Sequence, residues 1–317
     1  MNTITGLPHK HEHTHAEGPT LRGGAAQSHR LLFAFALTSV MLVIEAIGGW
    51  WSGSLALLAD AGHMLVDSMA LMLAFIGAWL ATRPADTRRS YGYGRMEVLA
   101  GFVNALIQLA LVVWITYEAA TRLLHPHAIL PGVMLVVALA GLLVNAFVLW
   151  TLHGHAEDDV NMAGAVLHVF GDLLGSMAAV VAALLISAFG WLWADPALSI
   201  LVALLIFTSA WSLLRRSAHI LLEGVPEGMD TAEVERSLCD LDASICGVHH
   251  LHMWQLASGS RMATLHVELR LGADPEHAMQ LVRQVLEDRF AIQHVTVQVD
   301  GAGCPDEDKD CAGRVAP

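Results

Sequence analysis

The segment Leu57-Leu58-Ala59-Asp60-Ala61-Gly62-His63-Met64-Leu65-Val66-Asp67 puts two carboxylates and an imidazole in the middle of an apolar run, Ser54–Ala81, long enough to cross a bilayer. An aspartate at the centre of a spanning helix costs roughly 2.5–3.5 kcal/mol on insertion scales, so such groups face a bundle interior or a water-filled path and mark ion pathways. On a helix, His63 and Asp67 stand at i and i+4 with Asp60 one turn earlier, and all three share one face. The pattern recurs further along, where His168-Val169-Phe170-Gly171-Asp172 is again His-x-x-x-Asp inside an apolar run. A single buried histidine is readily explained by packing; a repeated His/Asp pair is not. Two facing pairs supply two imidazole nitrogens and two carboxylate oxygens, a tetrahedral set suited to a divalent transition metal and to zinc in particular. The expected metal site is therefore His63, Asp67, His168 and Asp172. Asp60 beside it is a candidate proton relay or a hydrogen-bond acceptor.

Hydrophobic residues make up 55% of the 317 and charged residues only 15%, the balance of a membrane protein. Six runs approach the length of about 20 apolar residues that a crossing needs: Leu31–Trp51, Ser54–Ala81, Met96–Thr121, Pro131–Leu152, Met162–Ala188 and Pro196–Leu214. The expected architecture is α-helical, with a disordered His-rich tail over 1–29 and a six-helix transmembrane bundle over 30–222. A soluble cytoplasmic domain over 223–302 and a flexible acidic tail over 303–317 follow. With the N-terminus inside, the inner flanks hold Lys10, Arg22, Arg30, Arg83, Arg88, Arg89, Arg95, Arg215 and Arg216, and the outer loops hold only Arg122. That asymmetry places both termini in the cytoplasm. No cleavable signal peptide is visible in the first thirty residues.

The net charge of −13 is uneven: 10 basic and 13 acidic residues over 1–222, against 7 and 17 over 223–317. A strongly acidic soluble domain argues against nucleic acid and for cation binding. All four cysteines lie in this part, which implies reduced thiols. The N-terminal His9-Lys10-His11-Glu12-His13-Thr14-His15 matches the His-Glu-x-x-His pattern of zinc proteases but sits in a polar tail, without the buried helix that chemistry requires. Four protein ligands at the intramembrane site leave no open position for a catalytic water, so a metalloenzyme is disfavoured.

Other polar residues punctuate the helices. Glu45 falls toward the outer half of the first run and is left unassigned between snorkelling to the interface and lining a vestibule; Glu97, Asn104, Gln108 and Asn145 read as interhelical hydrogen-bonding groups. His153 and His155 belong to an acidic loop, His153-Gly154-His155-Ala156-Glu157-Asp158-Asp159, that is a candidate collecting site for cations ahead of the fifth helix.

Beyond Leu222-Glu223-Gly224-Val225-Pro226 the periodicity changes. Asp230–Leu241 is helical, Val248–Leu256 a strand, Arg261–Leu271 a strand with Ala263, Leu265, Val267 and Leu269 on one face, and Pro275–Phe290 helical. His294–Asp300 is a strand with Val295, Val297 and Val299 inward. The order αββαβ matches a small ferredoxin-like domain. Its polar face gathers His266, His294 and Asp300, and the first strand adds His249, His250 and His252, a candidate second cation site. Alternation does not decide among the three histidines of the first strand. Cys304 and Cys311, six apart in an acidic tail, lack zinc-knuckle spacing.

Several motifs carry a resemblance: Ser54-Leu55-Ala56-Leu57-Leu58-Ala59-Asp60-Ala61-Gly62-His63, Tyr91-Gly92-Tyr93-Gly94-Arg95-Met96-Glu97, Leu167-His168-Val169-Phe170-Gly171-Asp172, Leu221-Leu222-Glu223-Gly224-Val225-Pro226, Val248-His249-His250-Leu251-His252-Met253-Trp254 and His294-Val295-Thr296-Val297-Gln298-Val299-Asp300. Over residues 30–300 the chain resembles the cation diffusion facilitator family, on the side of its bacterial zinc exporters. The resemblance implies a homodimeric divalent-cation/proton antiporter of the bacterial inner membrane, with Zn2+ as substrate and regulatory ligand and no organic cofactor. It places the transport ligands on His63, Asp67, His168 and Asp172 and cytoplasmic metal sites on His249 and His266. One position departs from the family's binuclear pattern: a histidine two residues before the last acid is here Gln298.

Overall fold

The computed structural model describes residues 24–153, 160–257 and 259–300, with side chains over 36–151, 169–257 and 259–300. Six helices come first: α1 Gly24–Ser52, α2 Leu55–Ala81, α3 Arg95–Leu124, α4 Pro131–His153, α5 Val160–Phe189 and α6 Ala194–Leu221. Five of them, α2 to α6, are long and apolar enough to cross a membrane among the described residues, and α1 contributes the apolar segment Ala36–Ser52. Trp50, Phe75, Tyr117, Val136, Leu143 and Trp150 stand exposed around the bundle, where a bilayer takes the place of water. Small residues fill the contact between α4 and α5, with Ala138, Ala179, Ala182 and Ala183 fully buried so that the backbones approach closely.

The end of the bundle away from the C-terminal domain is tied by one carboxylate. Gly53, at φ 75°, turns α1 into α2, and the first amides of α2 need partners. Asp195 of α6 supplies them: its carboxylate accepts from Leu55 N at 2.7 Å, Ala56 N at 3.1 Å and Ser54 Oγ at 2.6 Å. Asp195-Pro196 reads in sequence as a start signal for its own helix; in space the acid caps a different one. Arg122, the lone outer-loop cation of the sequence reading, donates from Nη1 to Gly53 O at 2.6 Å.

The C-terminal domain runs α7 Thr231–Cys239, β1 Ile245–Gln255, β2 Arg261–Leu269, α8 Pro275–Phe290 and β3 His294–Asp300, the αββαβ order of the sequence reading. The sheet order is β1-β2-β3, antiparallel between β1 and β2 and parallel between β2 and β3, with α8 as the crossover. Asp230 and Asp274 cap α7 and α8 through Ala232 N and Glu276 N, both at 3.0 Å. Val234, Leu238, Val282 and Leu286 from the helices bury against Leu265 and Val267, which leaves the opposite sheet face free for polar side chains. The domain meets the bundle at the α2–α3 loop and the start of α3: Arg95 Nη2 lies 2.7 Å from Glu223 Oε1, and the Tyr91 and His294 rings meet edge-on with centroids 6.3 Å apart.

Candidate metal centres

The i, i+4 spacing on α2 does what helical geometry requires. His63 Nε2 is 3.4 Å from Asp67 Oδ2 and 3.9 Å from Asp172 Oδ1, which reaches across from α5. One ligand atom from each of the three lies within 4.8 Å of the others. Tetrahedral zinc, with bonds of about 2.0–2.2 Å, sets its ligand atoms about 3.4 Å apart, so this spacing needs little closure around an ion. Gln108 of α3 donates from Nε2 to Asp67 Oδ1 at 3.3 Å, fixing that carboxylate from a third helix. The sequence reading assigned Gln108 only to helix pairing. His168 lies on the backbone of α5 one turn before Asp172, but its side chain falls outside the described residues, as do the side chain of His153, all of His155, the His-rich tail, Cys304 and Cys311.

A layer of polar residues backs this cluster on the side away from the C-terminal domain. Asp60, 2% exposed, accepts from Ser176 Oγ at 3.1 Å, and Ser176 Oγ accepts from Asn145 Nδ2 at 3.1 Å. A Cβ at Gly175 would stand 2.9 Å from Asp60 Oδ1, so glycine is what admits that carboxylate against α5. Glu45 corrects the sequence reading: it neither snorkels nor lines a vestibule but is fully buried against α4, where any side chain at Gly141 would collide with its carboxylate.

The second cluster lies on the sheet. Cross-strand register pairs His249 with His266 and Glu268 with Asp300. Asp300 Oδ2 is 3.2 Å from His249 Nε2 and 3.0 Å from His266 Nδ1, while its Oδ1 accepts from Gln298 Nε2 at 3.0 Å. Burial pushes the Asp300 carboxyl upward, but the hydrogen bonds from Gln298, His266 and His249 outweigh it and hold the group below the usual carboxylate range. The choice among the first-strand histidines is made by a bulge. The register shifts between His249 and His252, and His250 sits at φ 50°, so Val248 and Leu251 both face the core with two residues between them. His249 and His250 consequently share the polar face, with His250 packed 4.9 Å from the His266 ring. His252 is exposed, and His294 is engaged with Tyr91; neither joins the cluster.

The family model of the cation efflux transmembrane domain matches residues 31–222, and that of the cation efflux protein cytoplasmic domain matches residues 226–302. The chain belongs to the cation efflux family. It is a membrane transporter rather than an enzyme. A protein named zinc transporter ZitB from Yersinia pestis is 45% identical over 88% of this chain and 89% of that one, and the zinc transporter ZitB of Escherichia coli (strain K12) is 41% identical over 94% of each. A Bacillus velezensis protein named cadmium, cobalt and zinc/H(+)-K(+) antiporter is 37% identical over 92% of each. Among solved structures, the metal-bound C-terminal domain of the CzcD transporter from Cuprividus metallidurans matches 23% of this chain and 99% of that one, at 36% identity and a TM-score of 0.22. Within the cation efflux family, this member has its His/Asp cluster inside the bundle and a His/His/Asp cluster on the sheet.

Proposed function

We propose that this transporter exports zinc from the cytoplasm across the bacterial inner membrane in exchange for protons, with the cation held by His63, Asp67, His168 and Asp172. The observation that carries this reading is the convergence of His63, Asp67 and Asp172 from two helices in the bundle interior, with ligand atoms within 4.8 Å. The names of the ZitB relatives support zinc, and that of the Bacillus velezensis relative supports proton coupling and a range that extends to cadmium and cobalt. Nickel fits the same donor set.

The coupling follows from the ligands. Metal binding needs neutral imidazole and ionised carboxylate, so a site open to the cytoplasm gives up protons to bind metal, and a site open to a more acidic outside is reprotonated and releases it. Alternating exposure of one midplane site then couples the two fluxes. In this reading Asp60, which accepts a hydrogen bond from Ser176, serves as the proton relay beside the cluster. The sheet cluster takes zinc as a regulatory ligand. In a homodimer, two acidic C-terminal domains repel, and bound cations offset that repulsion and favour the transport-ready pairing.

The test is zinc flux into proteoliposomes with and without a pH gradient, comparing the intact chain with Asp67→Ala and Asp172→Ala. Gradient-dependent flux that disappears in both variants is the expected result. Wild-type vesicles that move no divalent cation under any gradient would overturn the reading.

A further inference from the structure

Glu45 is a buried carboxylate in the bundle that the metal cluster does not use. Its side chain is completely buried, and neither Oε1 nor Oε2 has a hydrogen-bond donor among the described residues; Asn145 Oδ1 nearby also lacks one. Where their side chains are described, α1, α2, α4 and α5 contain no Lys or Arg to balance a negative charge. The titratable groups facing Glu45 make matters worse: Asp60 from α2 and Asp172 from α5 are both acids, and α4 presents only Gly141 and Asn145. A buried, unpaired carboxylate among other acids costs several kcal/mol, and such a group takes up a compensating cation.

Packing decides which cation. The Glu45 carboxylate lies directly on Gly141, with Ser176 Oγ also within 3.3 Å of where a Cβ at Gly141 would stand. A metal there would find carboxylates and neutral oxygens crowded against Gly141, and no imidazole among the described side chains. A proton needs no added space and turns one surplus acceptor into the donor that the pocket lacks.

We propose that Glu45 is a proton-binding site separate from the metal cluster, protonated when the cluster is empty and releasing its proton when a divalent cation arrives. The inference rests on the antiporter reading above. On release the O–H bond breaks, the proton passes to water and from there to the buffer base, the electron pair stays on the carboxylate oxygen, and the positive charge at His63, Asp67 and Asp172 offsets the new anion. The location suits this role. Asp60 is one turn from His63 toward the start of α2, and Ser176 one turn from Asp172 toward the end of α5, so the Glu45 layer lies between the cluster and the end of the bundle away from the C-terminal domain. In an exporter driven by external protons, that is the side from which they enter.

The experiment titrates zinc into the full-length, detergent-solubilised protein and counts protons released per zinc by calorimetry in buffers of different ionisation enthalpy. A His249→Ala, His266→Ala background removes the sheet cluster from the readout, and each Glu45 variant is compared with that parent. Glu45→Gln, which copies the protonated side chain, is expected to bind the same amount of zinc and release one proton fewer, and Glu45→Asp is expected to restore the count. In infrared spectra at neutral pH, a protonated-carboxyl band present in the parent is expected to vanish in Glu45→Gln and to persist in Asp67→Ala. An unchanged proton count in Glu45→Gln overturns the proposal, and so does loss of zinc binding, since Glu45 would then be a ligand. Failure of gradient-driven flux in wild-type vesicles overturns the antiporter reading and leaves these solution readouts to judge Glu45 separately.

Discussion

The bundle and the sheet each bring histidine and aspartate within 4.8 Å, yet they hold them differently. In the bundle the three residues come from α2 and α5 and are steadied by Gln108 from α3, so each helix that shifts moves a ligand. On the sheet, His249, His266 and Asp300 come from three hydrogen-bonded strands in fixed register, and Asp300 already accepts from both histidines and Gln298. A cation entering the sheet finds a frame that is already built. One entering the bundle finds ligands carried on separate helices, the arrangement that the proposed cycle of binding and release requires. In the proposed function the same side-chain chemistry serves a sensor in one place and a carrier in the other, and the backbone beneath it differs.

The largest expected difference comes from removing the acid of each cluster. Asp172→Ala should abolish flux of radiolabelled zinc into vesicles, whereas Asp300→Ala should leave measurable flux and lower only its response to cytoplasmic zinc. Equal loss in both variants would erase the distinction between carrier and sensor.

Two glutamines sharpen the contrast. Gln108→Leu removes the donor to Asp67 while keeping the bulk, and loss of such supporting hydrogen bonds weakens metal affinity by about 10–100-fold. The half-saturating zinc concentration for transport should rise by that order with the protein still folded. Gln298 lies within 3.4 Å of His266 Nδ1 on the sheet, so Gln298→His would offer a further imidazole to the second cluster. Zinc affinity there should tighten by about tenfold, or 1.4 kcal/mol, read by calorimetry on the full chain carrying Asp172→Ala. A change in transport affinity instead would mean that the two clusters are not separate.

How much of this was legible depended on the distance over which each contact forms. The pairing of His63 with Asp67 is local, and helical periodicity alone carried it. The αββαβ order and the inward Val295, Val297 and Val299 were likewise written in alternation. Contacts across the fold left no such mark. Asp195 caps α2 from 140 residues away, and its place beside a proline made it resemble a start signal for its own helix. Gln108 looked like any interhelical polar group, because nothing local shows that Asp67 faces it. Glu45 was read from its depth along one helix, whereas its burial is set by Gly141 on another. The histidines of β1 resisted alternation for a physical reason: a bulge at His250 breaks the period of two, and the Val248 to Leu251 spacing is its only trace in sequence.

The smallest effect concerns acid, and it tests whether the sheet frame is as complete as its hydrogen bonds suggest. Asp300 is held below the usual carboxylate range, so its ionised form is favoured in the folded domain over the unfolded chain. A group shifted in that direction contributes stability above its unfolded pKa, near 3.9, and the contribution is lost as pH falls through the lower folded value. Hydrogen-exchange protection of the β1–β3 amides in the full-length protein should therefore hold at neutral pH and decline below about pH 4. In Asp300→Asn, which cannot ionise, protection should be lower at neutral pH and that part of the acid response should be absent. If Asp300→Asn kept both the neutral protection and the acid decline, Asp300 would not be the group that joins the strands, and the contrast with the bundle cluster would have to rest on backbone register alone.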